Sequence, residues 1–210
     1  VTPETKVLLE LSSFALETLE AKRKSPHISA ITNFFEDHLN RYADMEDYFH
    51  AKSHIYLYQR ADDYCVLNAQ SETLRTHAPE VPSQIVWFGR NCAKGKHVCV
   101  KENQVMATGF LNLDHSPIFS LSDFKLPGEH NIENALAATA VALLAGVAPA
   151  HIQQAMAEFS GVPFRMEKRG VHNGVTFMND TASTVPESTV LSLQSIKEPV
   201  VLISGVSDKR

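Results

Sequence analysis

A chain of 210 residues with 44% hydrophobic content is long enough to bury one substantial core and to begin a second. Its 19 basic and 24 acidic residues leave a net charge of -5, without the basic excess that draws nucleic acid or anionic lipid, so both are set aside as partners. No apolar run reaches the roughly 18–20 residues of a membrane span; the nearest, 135–148, is shorter and contains Gly146.

In chain order, residues 6–11 are apolar-rich, and Val7, Leu8 and Leu9 predict a buried strand entered directly. With neither an initiator Met nor a basic-then-apolar leader, the chain is expected to begin inside a domain. Phe14, Leu16 and Leu19 then alternate with charges in a helix-like way. Residues 27–32 (HISAIT) form a second β-rich run, followed at once by the polar cluster NFFEDHLNRY. Open α/β sheets hold ligands at such strand ends. Tyr48, Ala51, Ile55 and Tyr58, spaced by threes and fours, predict an amphipathic helix over 45–58 that carries Lys52.

From 65 to 125, short β-rich runs separated by Asn, Gly and Pro predict strands with little helix, some antiparallel, with KENQ (101–104) as a turn. Past Pro127-Gly128 an Ala-rich helix is predicted over 131–145, with Gly146 as its stop, and a second helix over 149–159. Residues 161–163 are the linker candidate. A hairpin turning at Asn173-Gly174, a helix over 186–196 and a buried strand VVLIS ending at Gly205 follow. The pattern is α/β in two parts, 1–161 and 162–210, the second too short to close a sheet. Cys65, Cys92 and Cys99, odd in number and without CxxC spacing, argue against a zinc site or a disulfide framework and fit a reducing cytoplasm.

Three clusters could carry chemistry. Asn33, Glu36, Asp37, His38 and Arg41 follow a strand and precede the helix of Lys52, a set able to serve a metal-phosphate centre; helix capping by Asp37 and simple exposure of His38 explain the same residues without function. PGEHNIENALAA delivers His130, Asn131 and Asn134 to a helix start suited to phosphate or purine-ribose, unless His130 or Asn131 merely caps it. Arg165 and Asp180 could meet a polyphosphate and a ribose or metal, or be an exposed Arg and a turn-initiating Asp. No GxxxxGKS/T phosphate loop and no GxSxG elbow occurs in the sequence.

Taken together, LELSSFALE (9–17), ITNFFEDHLNRY (31–42), HAKSHIY (50–56), PGEHNIENALAA (127–138) and GVPFRME (161–167) followed by MND resemble the Mur ligases, over essentially the whole chain. The resemblance implies part of a P-loop-type central domain (1–161) with an added short-strand region, then the start of a Rossmann-like C-terminal domain (162–210). It implies ATP-driven amide formation in the cytoplasm by a monomer, in the branch that joins D-glutamate to UDP-N-acetylmuramoyl-L-alanine through an acyl phosphate. By the same resemblance, Glu10 and His38 would bind Mg²⁺ with a carbamylated Lys52; Ser12 and Asn33 would lie near the UDP-sugar or the metals. Asn134 would lie near adenine, and Arg165 and Asp180 would close over ATP. Ala182 stands where the family has a lysine that helps bind D-glutamate, so either the acceptor differs or a cation comes from elsewhere, Lys209 being one candidate. A paralogous ligase for another acceptor, such as a folate-glutamylating one, and a non-catalytic remnant are the alternatives. The chain is expected not to release ADP alone, since it lacks the P-loop.

Overall fold

The computed structural model describes residues 2, 5–110, 113–184 and 186–205, with only the backbone of Glu187. Six strands form one sheet in sequence order: β1 (Ile28–Ile31), β2 (Tyr64–Asn68), β3 (Gln84–Gly89), β4 (His97–Lys101), β5 (Gln104–Thr108) and β6 (Ser116–Ser120). β1 to β4 run parallel and β4 to β6 antiparallel. Helices α1 (Ser13–Glu20), α2 (Met45–Ser53), α3 (Glu72–His77), α4 (Glu129–Leu144), α5 (Pro149–Glu158) and α6 (Pro186–Gln194) and a separate hairpin, β7 (Glu167–His172) with β8 (Val175–Asn179), complete the described elements.

Strand side chains alternate between faces, and β2 shows what this does. Val66 joins a core with Val86, Phe88, Val98 and Leu136 of α4, whereas Cys65 and Leu67 join Ile31, Phe49, Tyr56 and Leu74 on the opposite face. Helices thus cover both faces of the parallel part, an arrangement that suits near-continuous apolar strands such as YCVLN. Helix α4 lies across β1 to β4, its buried Ala135, Ala137 and Ala140 permitting close approach while Leu136 and Leu143 fill the gaps. Gly146 at φ +80 ends it: the Val147 N–H bonds the Ala142 carbonyl at 2.9 Å and the Gly146 N–H that of Leu143 at 3.0 Å, the left-handed stop that glycine makes inexpensive. Pro149 then opens α5, where its missing N–H costs nothing.

Both predicted turns form: Glu102 and Asn103 in the β4–β5 hairpin and Asn173 and Gly174 in the β7–β8 hairpin all have positive φ, the backbone that two-residue hairpin loops require. Four expectations are corrected. Residues 6–11 form no strand, and Val7, Leu8 and Leu9 are exposed; the same holds for VVLIS, with Val201 and Ile203 about nine-tenths exposed. An apolar run becomes a buried strand only beside a partner, and none of the described strands pairs with either. The helix over 45–58 ends at Ser53, while the short α3 fits the little helix expected in the strand-rich region. Cys92 and Cys99 form a disulfide despite the odd count, because the return from β3 into β4 brings their Cα atoms to 5.0 Å. No described helix is long and apolar enough to cross a membrane.

Candidate active site

Parallel strands β1 to β3 end at one edge of the sheet, and each delivers a polar group there: Asn33 two residues past β1, Asn68 closing β2, Arg90 just past β3. Asn68 is 2% exposed and joins them. Its amide nitrogen donates to Asn33 Oδ1 at 3.1 Å and to Glu133 Oε2 of α4 at 3.2 Å, while its own oxygen accepts the Gln70 N–H at 2.8 Å. Among the described residues nothing accepts from Asn33 Nδ2, which leaves it as a donor for a ligand. Gln70 in turn accepts the Arg90 N–H at 2.9 Å, and the Arg90 guanidinium grips both oxygens of Glu129 in the first turn of α4 at 2.6 and 2.5 Å.

Past β1 the chain folds back over α1 and α2. Glu17 of α1 accepts from Arg41 at 2.6 Å and from the Tyr42 hydroxyl at 2.7 Å, and the Arg41 bond, then the Tyr42 bond, holds its carboxyl below the ordinary range. His38 has φ +58, its N–H bonded to Asp37 Oδ1 at 2.7 Å and its ring 5.1 Å from Phe14 and 5.6 Å from Tyr48. A pocket of about 170 Å³ opens where Asn33, Glu36, Asp37, Tyr48 and Lys52 meet Ser188 and Leu191 of α6. Burial lowers the Lys52 pKa, and Asp37 opposes that shift; burial also pushes the Tyr48 phenol up to about 12. Lys52 is therefore an amine whose neutral form is more accessible than usual. A larger open cavity of about 380 Å³ lies between α1 and α2 among Glu17, Glu20, Arg41 and His50. Of the residues singled out in the sequence for chemistry only Arg41 lines it, and Arg41 is already paired there with Glu17.

At the start of α4 neither predicted cap is present: Gly128 occupies the cap position with no side-chain bond, and Asn131 instead donates to the Pro127 carbonyl at 2.6 Å. Among the described residues the first-turn N–H groups are thus without a side-chain acceptor at the cap, the state in which a helix start receives an anion. Asn134 is exposed one turn along. Farther on, Arg165 is exposed, and Asp180 is held by the Met166 N–H at 2.9 Å and the Ser183 hydroxyl at 2.7 Å. Burial would raise the Asp180 pKa, but the Ser183, Ser192 and Met166 hydrogen bonds and the Arg165 charge bring it below its usual value. Ala182 donates its N–H to the Phe164 carbonyl, and Lys209 lies outside the described residues.

Of the expected site residues, Asn33 and Lys52 share the pocket, while Glu10, exposed on the irregular segment before α1, and His38 do not line it. Ser12 caps α1, its Oγ accepting the Ala15 N–H at 3.3 Å, which leaves the hydroxyl proton as a donor. Sequence reasoning missed Asn68 and Glu133, the groups that tie the pocket to α4; the one available signal was that Asn68 closes an otherwise apolar strand.

The description "Mur ligase middle domain" matches residues 2–142. Over its full length the chain is 39% identical to a UDP-N-acetylmuramoylalanine–D-glutamate ligase of Roseiflexus sp. (strain RS-1), covering 46% of that protein. Against the ligase of the same name from Clostridioides difficile (strain 630), 98% of the chain is 35% identical, covering 45% of that protein. The chain thus spans about half the length of the curated relatives it matches. In fold it is similar to crystal structures of MurF from Acinetobacter baumannii (TM-score 0.63, 21% identity, 87% of this chain and 39% of that one) and of MurF from Thermotoga maritima in complex with ADP (TM-score 0.58, 19% identity, 84% and 40%).

Proposed function

The chain belongs to the Mur ligase family, and on that premise we propose that the whole protein is an ATP-dependent amide ligase joining D-glutamate to UDP-N-acetylmuramoyl-L-alanine, in the cytoplasm and as a monomer. The observation that carries the reading is 39% identity along the entire chain to a ligase of that name. The pocket's chemistry supports it. The alanyl carboxylate attacks the γ-phosphorus of ATP to give an acyl phosphate and ADP; the D-glutamate amine then attacks the acyl carbon, and phosphate leaves with the carboxylate oxygen. Such a reaction needs positioned donors and charge compensation more than covalent help from the protein.

In this reading Asn33 Nδ2 and Ser12 orient the UDP-sugar substrate, and Asn134 borders the adenine beside the uncapped start of α4. Arg165 and Asp180 meet ATP from the segment beyond residue 161, which acts as the second domain. Lys52, with its lowered pKa, gives up a proton to solvent, and its neutral amine adds CO₂ and releases a second proton, so that a carbamate anion replaces a cation beside Asp37. Mg²⁺ accompanies ATP, and the carboxylates Glu36 and Asp37 in the Lys52 pocket are of the oxygen-donor class this hard cation takes. Glu10 and His38, the ligands implied by resemblance, do not line that pocket.

The test is ADP release by the full-length protein with Mg²⁺, ATP and UDP-N-acetylmuramoyl-L-alanine across a panel of amino acids. Turnover is expected with D-glutamate alone, and Lys52→Ala is expected to lower kcat on the order of 10²-fold or more. Ala182, in place of the family's lysine, favours a second reading, a related ligase with another acceptor. Turnover with a different amino acid would establish it, and the absence of any turnover would reject both.

A further inference from the structure

Outside the pocket, the described residues hold one other gathering of potential metal ligands: Cys92, a ring nitrogen of His97 and Cys99, with ligand atoms all within 4.8 Å of one another. His97 and Cys99 are two residues apart on β4, so they project from one face of the sheet, and both are buried, at 5% and 1% exposure. Cys92 reaches them from the exposed β3–β4 return, in which Gly95 has open space around it. His97 Nδ1 lies 2.8 Å from the Gly95 carbonyl oxygen. A carbonyl can only accept, so the proton is on Nδ1 and the lone pair on Nε2. A backbone acceptor on the far nitrogen is the arrangement that fixes the tautomer of a metal-bound histidine.

We propose that, with its sulfurs reduced, this C-x4-H-x-C cluster binds a borderline-soft divalent cation of the Zn²⁺ class through Cys92 Sγ, His97 Nε2 and Cys99 Sγ, a water completing a tetrahedron on the solvent side. Two thiolates and a neutral imidazole carry the charge that cancels a divalent cation, which a largely buried site demands. Mixed sulfur and nitrogen donors select this class over Mg²⁺. The sequence spoke against a zinc site because it lacks CxxC spacing; the β3–β4 return supplies the proximity instead.

The Cys92–Cys99 disulfide and the cation are alternative occupants of the same two sulfurs. A phosphine cleaves the S–S bond, its phosphorus taking the oxygen of one water to become a phosphine oxide while the two water protons go to the sulfurs. Cation binding then releases both thiol protons to solvent. In the metal-bound state the sulfurs stand about 3.8 Å apart, as two Zn–S bonds of about 2.3 Å in a tetrahedron require, an opening that the exposed return can supply.

Co²⁺ is the probe: the 210-residue chain, reduced with a phosphine and kept from air, is titrated while its absorption is followed. Expected are thiolate-to-cobalt charge-transfer bands and strong tetrahedral ligand-field bands that saturate at one equivalent and bleach when Zn²⁺ is added. Cys92→Ser, at an exposed position, is expected to weaken binding at least about a hundredfold, and His97→Gln to shift the ligand-field bands. No charge-transfer band on the reduced chain, or bands unchanged in C92S, would overturn the proposal and leave the pair a disulfide only. The readout is independent of ligase activity, so it stands or falls apart from the proposed function.

Discussion

At the scale of single residues, the clearest electrostatic consequence lies under the sheet's opposite edge. Asp63 accepts the Arg60 N–H at 2.7 Å and the His27 ring at 2.5 Å as the chain turns into β2, and its carboxylate side chain is 8% exposed. The Arg60 bond, then burial working against it, then the His27 bond leave its pKa below the usual value. A depressed folded pKa means that the carboxylate's contribution to stability is fully present above the unfolded value of about 4 and is lost as pH falls through the folded one. Asp63→Ala is expected to cost on the order of 1–3 kcal/mol at pH 7, and less at pH 3. Urea unfolding of wild type and variant at the two pH values measures it; an equal cost at both would contradict the assignment. Residue-scale reading grouped Asn33, Glu36, Asp37 and Lys52, and these line one pocket because they sit in a polar cluster beside a strand or on the helix that follows. It could not find Asn68 or Glu133, whose partners are 35 and 65 residues away.

Among elements, those defined by local signals were legible. The Ala-rich run with a following Gly gave α4, and Asn-Gly gave the β7–β8 turn. The β4–β5 turn is the more demanding case, since Glu102 is held at φ +49 and Asn103 at φ +64, and a glutamate gains nothing locally from that conformation. Glu102→Gly is therefore expected to stabilise the protein by up to about 1 kcal/mol. A rise in Tm would show it, whereas a fall would mean that the Glu102 side chain makes a contact worth more than its backbone cost. Elements that depend on distant partners were not legible. Val7 to Leu9 and Val201 to Ile203 read as core strands on composition, yet burial is decided by pairing, and they are exposed. The Cys92–Cys99 proximity likewise follows from the parallel β3–β4 register, Phe88 against Val98 and Gly89 against Cys99, which no residue count reveals.

For the molecule as a whole, the parallel register gathers Asn33, Asn68 and Arg90 at one sheet edge, and two bridges, Asn68 to Glu133 and Arg90 to Glu129, fasten that edge to the start of α4. The amine-bearing pocket and the open helix start are thereby joined through hydrogen bonds, and the proposed ligation would use one for the carboxylate and the other for phosphate. In the proposed reaction the two meet through an acyl phosphate. Its most direct test uses the full-length protein with UDP-N-acetylmuramoyl-L-alanine carrying ¹⁸O in the alanyl carboxylate, together with ATP, Mg²⁺ and D-glutamate, followed by mass analysis of the released inorganic phosphate. One ¹⁸O atom is predicted in phosphate for each amide bond formed; amide formation with unlabelled phosphate, or ATP hydrolysis with no amide at all, would contradict the account.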